Sequence, residues 1–375
     1  HLQNEWNDRS RGVTNHYSDE YCDGNCRARG NINRCNPIPA GLTHGQHGRN
    51  QTMSTSQINT LTLYKNINNA AAGIAAYQSA RRLGIIKILR DGQKTAEEVA
   101  QAIGANPRRV ALLLDVLVGL MIVERYQDDY ALSQMVQLLT AHDIDLGESR
   151  LRKLDAYVKT SEDVEDLRDT YRQRITSTQW QVSPSAMQVA KLLQLSEQTT
   201  SLNILDIGCG TGVWSLSIAH VDPESTITFF DNEEPVNTAM ETAESIGMQG
   251  RIQSVVGDPL TSQLPTGDFN LVLVANLLQL LDAESQKRLI YNAMQRLSPG
   301  GRLVVIDVFP GQDMGDVSRA LFALDLELHV PSGKLVDPIE LKTMLEESGL
   351  LSPKYSHLNE VPHIYGIMVA QKQSS

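Results

Sequence analysis

Apolar positions along this 375-residue chain follow two rhythms. Between about Ile58 and Leu139 they recur mostly at helical spacing. Ala70 to Leu89 reads as one alanine-rich amphipathic helix ending near Gly92. Thr95-Ala96-Glu97-Glu98 is a capping box for a short helix that ends near Gly104. Asn106-Pro107 supplies an N-cap and a first-turn proline for the next helix, which carries Val110, Leu113, Leu114, Leu117 and Val118 and closes near Gly119. Ile122–Tyr126 and Tyr130–Leu132 alternate like strands around the turn Gln127-Asp128-Asp129. Three helices and a hairpin make a winged helix.

From Leu146 to Arg174 acids and bases alternate, as on a solvated helical face. Ser183-Pro184 opens another helix, to about Leu195. Beyond residue 196 the rhythm changes. Short apolar runs at Asn203–Asp206, Thr226–Phe230, Ile252–Val256, Leu271–Ala275, Leu303–Val308 and Tyr365–Ala370 read as strands. Helical stretches fall near Val213–His220, Glu234–Ile246, Ala283–Leu297 and Pro338–Ser348. Gly300-Gly301 fits the turn from helix to strand. Such alternation predicts a doubly wound, mostly parallel α/β sheet, a Rossmann-like domain preceded by a mainly α winged-helix domain. The expected boundaries are 58–145 for the winged helix, 146–195 for a helical linker and 196–375 for the α/β domain.

Residues 1–52 have a different composition, rich in Asn, Arg, Gly and His and poor in aliphatics. They are expected to be disordered or a non-native extension, with Met53 reading as a natural start. Cys22, Cys26 and Cys35 lie there with His16, His44 and His47. No second close pair accompanies the C-x3-C spacing, so no metal site is expected. Only Cys209 lies further on, which is no disulfide framework.

Net charge is -11 and the pI about 5.3. That balance argues against nucleic acid or an anionic membrane as the main partner. Arg108-Arg109 would open a recognition helix, but Asp128-Asp129 puts the wrong sign on the wing for phosphate. The winged helix is therefore read as a dimerisation module rather than a DNA reader. No apolar run is long enough to span a bilayer, and the N-terminus lacks the apolar core of a signal peptide. A cytoplasmic protein is expected.

The chemistry centres on Asn203-Ile204-Leu205-Asp206-Ile207-Gly208-Cys209-Gly210-Thr211-Gly212. The glycine spacing is G-x-G-x-G, where the dinucleotide fingerprint is G-x-G-x-x-G. With Asp206 just before the first glycine, it points to S-adenosylmethionine (SAM). A carboxylate there can hold the cofactor's ammonium, directly or through water. Gly208, Gly210 and Gly212 let the backbone approach the methionine moiety. Asp231 ends the second strand, about 20 residues on, where an acid accepts hydrogen bonds from both ribose hydroxyls, with Asn232 at hand. Asp258-Pro259-Leu260 follows the third strand. Asp258 is placed to accept from the adenine amino group and Leu260 to pack on the ring. Asn276 follows the fourth strand, at the methionine end.

These motifs, with Ala275-Asn276-Leu277-Leu278 and Pro299-Gly300-Gly301-Arg302-Leu303, resemble the class I SAM-dependent methyltransferases. The whole of Ile58 to Gln373 resembles the O-methyltransferases with an N-terminal winged-helix dimerisation domain, of the caffeate, hydroxyindole and polyketide type. The resemblance implies a homodimer that methylates an aromatic, polyketide or other lipophilic small molecule, most simply at a hydroxyl, and releases S-adenosylhomocysteine (SAH). It makes 146–195 a lining of the substrate site, with contacts from Trp180, Met187, Gln279, Phe322 and His329. One position departs from the family. The usual Asn-x-Leu-His carries the general base, and here Gln279 stands in its place. Glutamine orients a nucleophile but takes no proton at neutral pH. Three readings remain: an acceptor that needs no base; a substitute base, with His329 ahead of His357 and His363; or a silent homologue. A SAM-sensing, DNA-binding regulator is the reading from another class.

Overall fold

A computed structural model describes residues 55–134, 136, 154–159, 165–193, 201–310, 317–331, 333–360 and 364–374. The expected extension, with its cysteines and histidines, and His363 lie outside the described residues. From Lys65 on, the described residues form one compact unit.

Helix α1 spans Thr55–Arg82 and is followed by α2, Ile85–Arg90. The single helix expected over Ala70–Leu89 thus breaks in two. Gly84 lies between them at φ 81, a left-handed conformation that ends helices. The short strand β1, Lys94–Thr95, leads into α3, Ala96–Ile103. Its capping box is present: Thr95 Oγ1 accepts from Glu98 N–H at 3.1 Å, and Glu98 Oε2 accepts from Thr95 N–H at 2.8 Å. α4 is Pro107–Gly119, with Asn106 accepting from Arg109 N–H at 3.2 Å. β2, Val123–Tyr126, and β3, Asp129–Leu132, form the wing, with β3 between β1 and β2. Val99, Val110, Leu114, Leu117 and Val123 are the buried centre of this region.

The linker contributes α5, Leu154–Lys159, α6, Arg168–Thr178, a 3-10 turn at Gln179–Val182 and α7, Ser183–Leu192. Then come β4, Asn203–Ile207; α8, Val213–His220; β5, Thr226–Asp231; α9, Glu233–Ser245; and β6, Ile252–Val256. The chain continues with β7, Phe269–Ala275, a 3-10 turn at Leu278–Leu280, α10, Ala283–Arg296, and β8, Leu297–Val308. It ends in α11, Val317–Glu327; α12, Pro338–Glu347; β9, Leu350–His357; and β10, Tyr365–Lys372. The periodicity pointed to neither α11 nor β9. β9 has one buried residue, Leu350, so it shows no alternation.

The seven-stranded sheet has the order β6-β5-β4-β7-β8-β10-β9. β4 to β8 are parallel, and β10 runs antiparallel to both β8 and β9. β4 and β7 are neighbours, but the chain leaves β4 for β5 on one side and returns to β7 on the other. A crevice therefore opens at their carboxyl ends, where α/β sheets bind ligands. Apolar clusters cover both faces. The central strands are accordingly apolar on both sides, as parallel strands are when helices flank them.

Candidate active site

β4 delivers the chain into the crevice. Gly208 N–H donates to Phe230 O at 2.8 Å, tying the loop to β5. Gly210 lies at φ 57, and a Cβ there would come within 2.5 Å of the Gln179 amide. Gly212 lies at φ 74, with the Phe229 ring 2.8 Å from the position of a Cβ. Both favour glycine for conformation, and Gly212, against the buried Phe229 ring, for space as well.

The acids of this half are all engaged. Asp206 is 1% exposed and accepts from the Ser215 hydroxyl on α8. Burial pushes its carboxyl up to about 7, against the lowering effect of the Ser215 bond. It braces the loop against α8 from behind. Asp231 Oδ1 accepts from Asn232 N–H at 2.8 Å and from Arg172 Nη2 at 2.6 Å, and Oδ2 accepts from Gly210 N–H at 3.1 Å. Gln179 Oε1 accepts from the backbone and the hydroxyl of Thr211, at 2.7 and 2.8 Å. α6 and the turn after it therefore reach across the glycine loop. Asp258 serves its own turn, accepting from Leu260 N–H at 3.0 Å and Thr261 Oγ1 at 2.7 Å. Pro259 is buried, and Leu260 packs on the core.

The other wall comes from β7 and β8. Asn276 lies at φ 54, a left-handed conformation outside a glycine, which marks functional sites more often than chance. A cavity of about 20 Å³ lies between the walls, lined by Tyr171, Arg172, Gln179, Gly208, Asp231 and Asn276, among others. Arg172 and Gln179 fill much of the crevice. Gln279 is fully buried on the 3-10 turn after β7, and neither of its amide atoms has a partner among the described residues. Asp307, at the end of β8, is fully buried too.

The tentative acceptor residues are spread out. His329 is nearly buried, bonds through Nδ1 to Asp325 O at 2.7 Å, and its ring centroid lies 6.1 Å from that of Tyr171. Trp180 borders a second cavity, of about 440 Å³, with Thr211, Val213, Glu234 and Pro235. Phe322 packs against the apolar cluster that contains Trp214 and Phe229, and Met187 is half-buried on α7. His357 is exposed beside Arg319. Among the residues lining the cavity at Asn276, none of Trp180, Met187, Phe322 and His329 occurs. Reasoning from the sequence missed Arg172, Gln179 and Asp307. Asp307 had a signal, an acid at a strand's carboxyl end like Asp206 and Asp231. Arg172 was hidden in a run of charges.

These residues fit SAM. The glycine cradle leaves room for a ligand, Asp231 offers two carboxylate oxygens at the end of β5, and the Asn276 side chain is buried at the end of β7. The methyltransferase domain family matches residues 204–301, and the O-methyltransferase dimerisation domain matches 69–142. Two regions of the chain thus match the domains of class I SAM-dependent O-methyltransferases. It is 25% identical to the N,N-dimethyltransferase OxyT of Streptomyces rimosus over 304 residues, 73% of this chain and 86% of that protein. With the demethylspheroidene O-methyltransferase of Cereibacter sphaeroides it shares 23% identity over 255 residues, 61% of this chain and 65% of the relative. Human N-acetylserotonin methyltransferase, solved in complex with SAM, has the same fold, with a TM-score of 0.63 at 20% identity over 86% of this chain and all of that one. In this methyltransferase, no helix among the described residues is long and apolar enough to cross a membrane. No group of His, Cys, Asp or Glu among them is arranged to hold a metal ion.

Proposed function

We propose that the chain methylates an oxygen or nitrogen of a small, flat, lipophilic acceptor of the aromatic or polyketide class, and works as a homodimer. The bound SAM supplies a methyl carbon on a positively charged sulfur, open to in-line displacement. Asp231 and Asn232 take the ribose hydroxyls, and Asp258, Pro259 and Leu260 the adenine. Gly208, Gly210 and Gly212 pass close to the methionine moiety, with Asp206 bracing them, and Asn276 meets it from β7. For this, Arg172 gives up Asp231 and Gln179 gives up Thr211. The observation that carries the reading is the glycine loop tied to Asp231 through Gly210 N–H. Positioning and exclusion of water supply much of the rate in such transfers. The apolar linings around α6 and β7 suit a flat acceptor. Relatives that methylate oxygen and nitrogen support the range of acceptor atoms.

Dimerisation is supported by the matched dimerisation domain and by the exposure of Ile67, Ile74, Leu112, Val116 and Met121. Such apolar exposure on neighbouring helices marks contact surfaces. Calorimetric titration with SAH tests the cofactor site. Expected is binding in the wild type and loss in Asp231→Ala; equal affinity in both overturns the assignment. Light scattering after gel filtration tests the assembly, and a monomer at micromolar concentration overturns it.

A further inference from the structure

Four buried polar atoms gather after β7, at the carboxyl end of β8 and on α6, without hydrogen-bond partners among the described residues. They are the Tyr171 hydroxyl, both amide atoms of Gln279, and Oδ2 of Asp307; the Asn276 side chain beside them faces the Tyr365 hydroxyl. Protein interiors pair nearly all such atoms, so a cluster of orphans marks a place meant for a polar ligand. Backbone contacts bring the group together. Asn276 N–H donates to Ile306 O at 2.9 Å, one residue before Asp307. The Asp307 carboxylate accepts through Oδ1 from Val308 N–H at 2.9 Å, and the backbone N–H of Gln279 lies near enough to favour its ionised form. Backbone groups thus hold the carboxylate in place, while Oδ2 has no hydrogen-bond partner among the described residues. The titratable groups near it are phenols, Tyr171 on α6 and Tyr365 on β10. Burial pushes both upward, so they stay neutral. A buried acid with a purely structural task is normally paired with a cation or fully hydrogen-bonded.

We propose that Asp307 is the general base of the methyl transfer, its free Oδ2 taking the acceptor's proton while the Gln279 amide orients the same acceptor group. The inference rests on the methyltransferase reading above. The acceptor oxygen or nitrogen forms its bond to the methyl carbon, and the electron pair of the broken carbon–sulfur bond leaves with sulfur. The acceptor's proton ends on Oδ2 and passes to water when the product departs. Glutamine at 279 then makes sense, because the proton goes to the acid held against its backbone. Burial lifts the Asp307 carboxyl to about 7. A base of that strength is ionised just above neutrality and matches a weakly acidic acceptor better than an ordinary carboxylate would.

Asparagine at 307 keeps an oxygen for the Val308 N–H and removes only the basic atom. Two measurements on the full chain with SAH or SAM bound decide the matter. The first is the infrared difference between wild type and Asp307→Asn across pH 5–9. Expected is a protonated-carboxyl band specific to Asp307 that fades through neutrality; no titration of this residue in that range overturns the proposal. It needs no acceptor, so it stands even where the acceptor class is wrong. The second compares turnover of phenols of graded acidity. Expected in Asp307→Asn is a loss of roughly 10²–10⁴-fold for phenols with pKa near 10, shrinking to less than about tenfold for a nitrophenol already ionised in the assay. SAH affinity should stay within about twofold. The same loss at every acidity means that Asp307 is a strut, and overturns the proposal. Absence of SAH binding and of turnover by the wild type would instead sink the methyltransferase reading.

Discussion

The two walls of the crevice treat their polar groups differently. On the β4–β5 side every acid is satisfied from within: Asp206 by Ser215, Asp231 by Arg172, Asn232 and Gly210, Asp258 by its own turn. On the β7–β8 side Gln279 and Asp307 keep atoms with no partner among the described residues. The first wall is a frame whose ligand contacts are held by stand-ins from α6 and the turn after it. The second is a set of groups whose polar needs the described fold leaves open. A binding wall rehearses its ligand with its own side chains. A reacting wall needs atoms that nothing else has claimed.

The comparison breaks if the frame does not depend on Asp231. Asp231→Ala removes the hydrogen bond to Gly210 and the acceptor for ribose, and should weaken SAH roughly 100-fold or more in calorimetric titration. Next in size is the stand-in. Arg172 and Asp231 are an almost buried pair, 13% and 2% exposed. Arg172→Ala leaves an unpaired buried carboxylate in the free protein. SAH should then bind about tenfold more tightly, while the free protein melts lower; weaker binding would mean that Arg172 stays on as a ligand contact.

A smaller effect crosses both walls. Burial lifts Asp206 and Asp307 to about 7, above the unfolded carboxylate near 4. The folded state then holds the proton more tightly than the unfolded one. That contribution to stability is complete below about pH 4 and is lost as the pH rises through 7. Asparagine at either site should therefore raise the melting temperature at pH 8 by several degrees more than at pH 4, as scanning calorimetry would show. The smallest effect concerns strain. Asn276→Gly relaxes the left-handed backbone and should stabilise by less than about 1 kcal/mol in urea unfolding, at the expense of turnover.

The first wall was legible because its signals are local. A glycine at every second position, an acid at a strand end and the capping box at Thr95 each lie within a few residues, and the mostly parallel sheet followed from the alternation of strand and helix. The second wall depends on what lies opposite. Gln279 was noticed only as a departure, and Asp307 not at all, because the contact with Gln279 N–H joins positions on different strand ends. Arg172 lies 59 residues from Asp231, and no periodicity on a charged helix could single it out. His329, the substitute base suggested by chain order, spends Nδ1 on Asp325 O. The break at Gly84 was missed because alanine-rich sequence continues across it, while the glycine alone sets the turn.

β10 lies inside the sheet, between β8 and β9, although it is the last strand in chain order. Tyr365 to Gln371 register along most of β8, and the same strand pairs with β9 on its other edge. During synthesis, every earlier strand leaves the ribosome before the one that fills this gap. Until Tyr365–Lys372 emerges, β8 presents a bare apolar edge and β9 has nothing to pair with, which exposes the nascent chain to wrong partners. The sheet closes only once this segment has been made, so β10 bears on the yield of folded protein as well as on the site that Tyr365 borders.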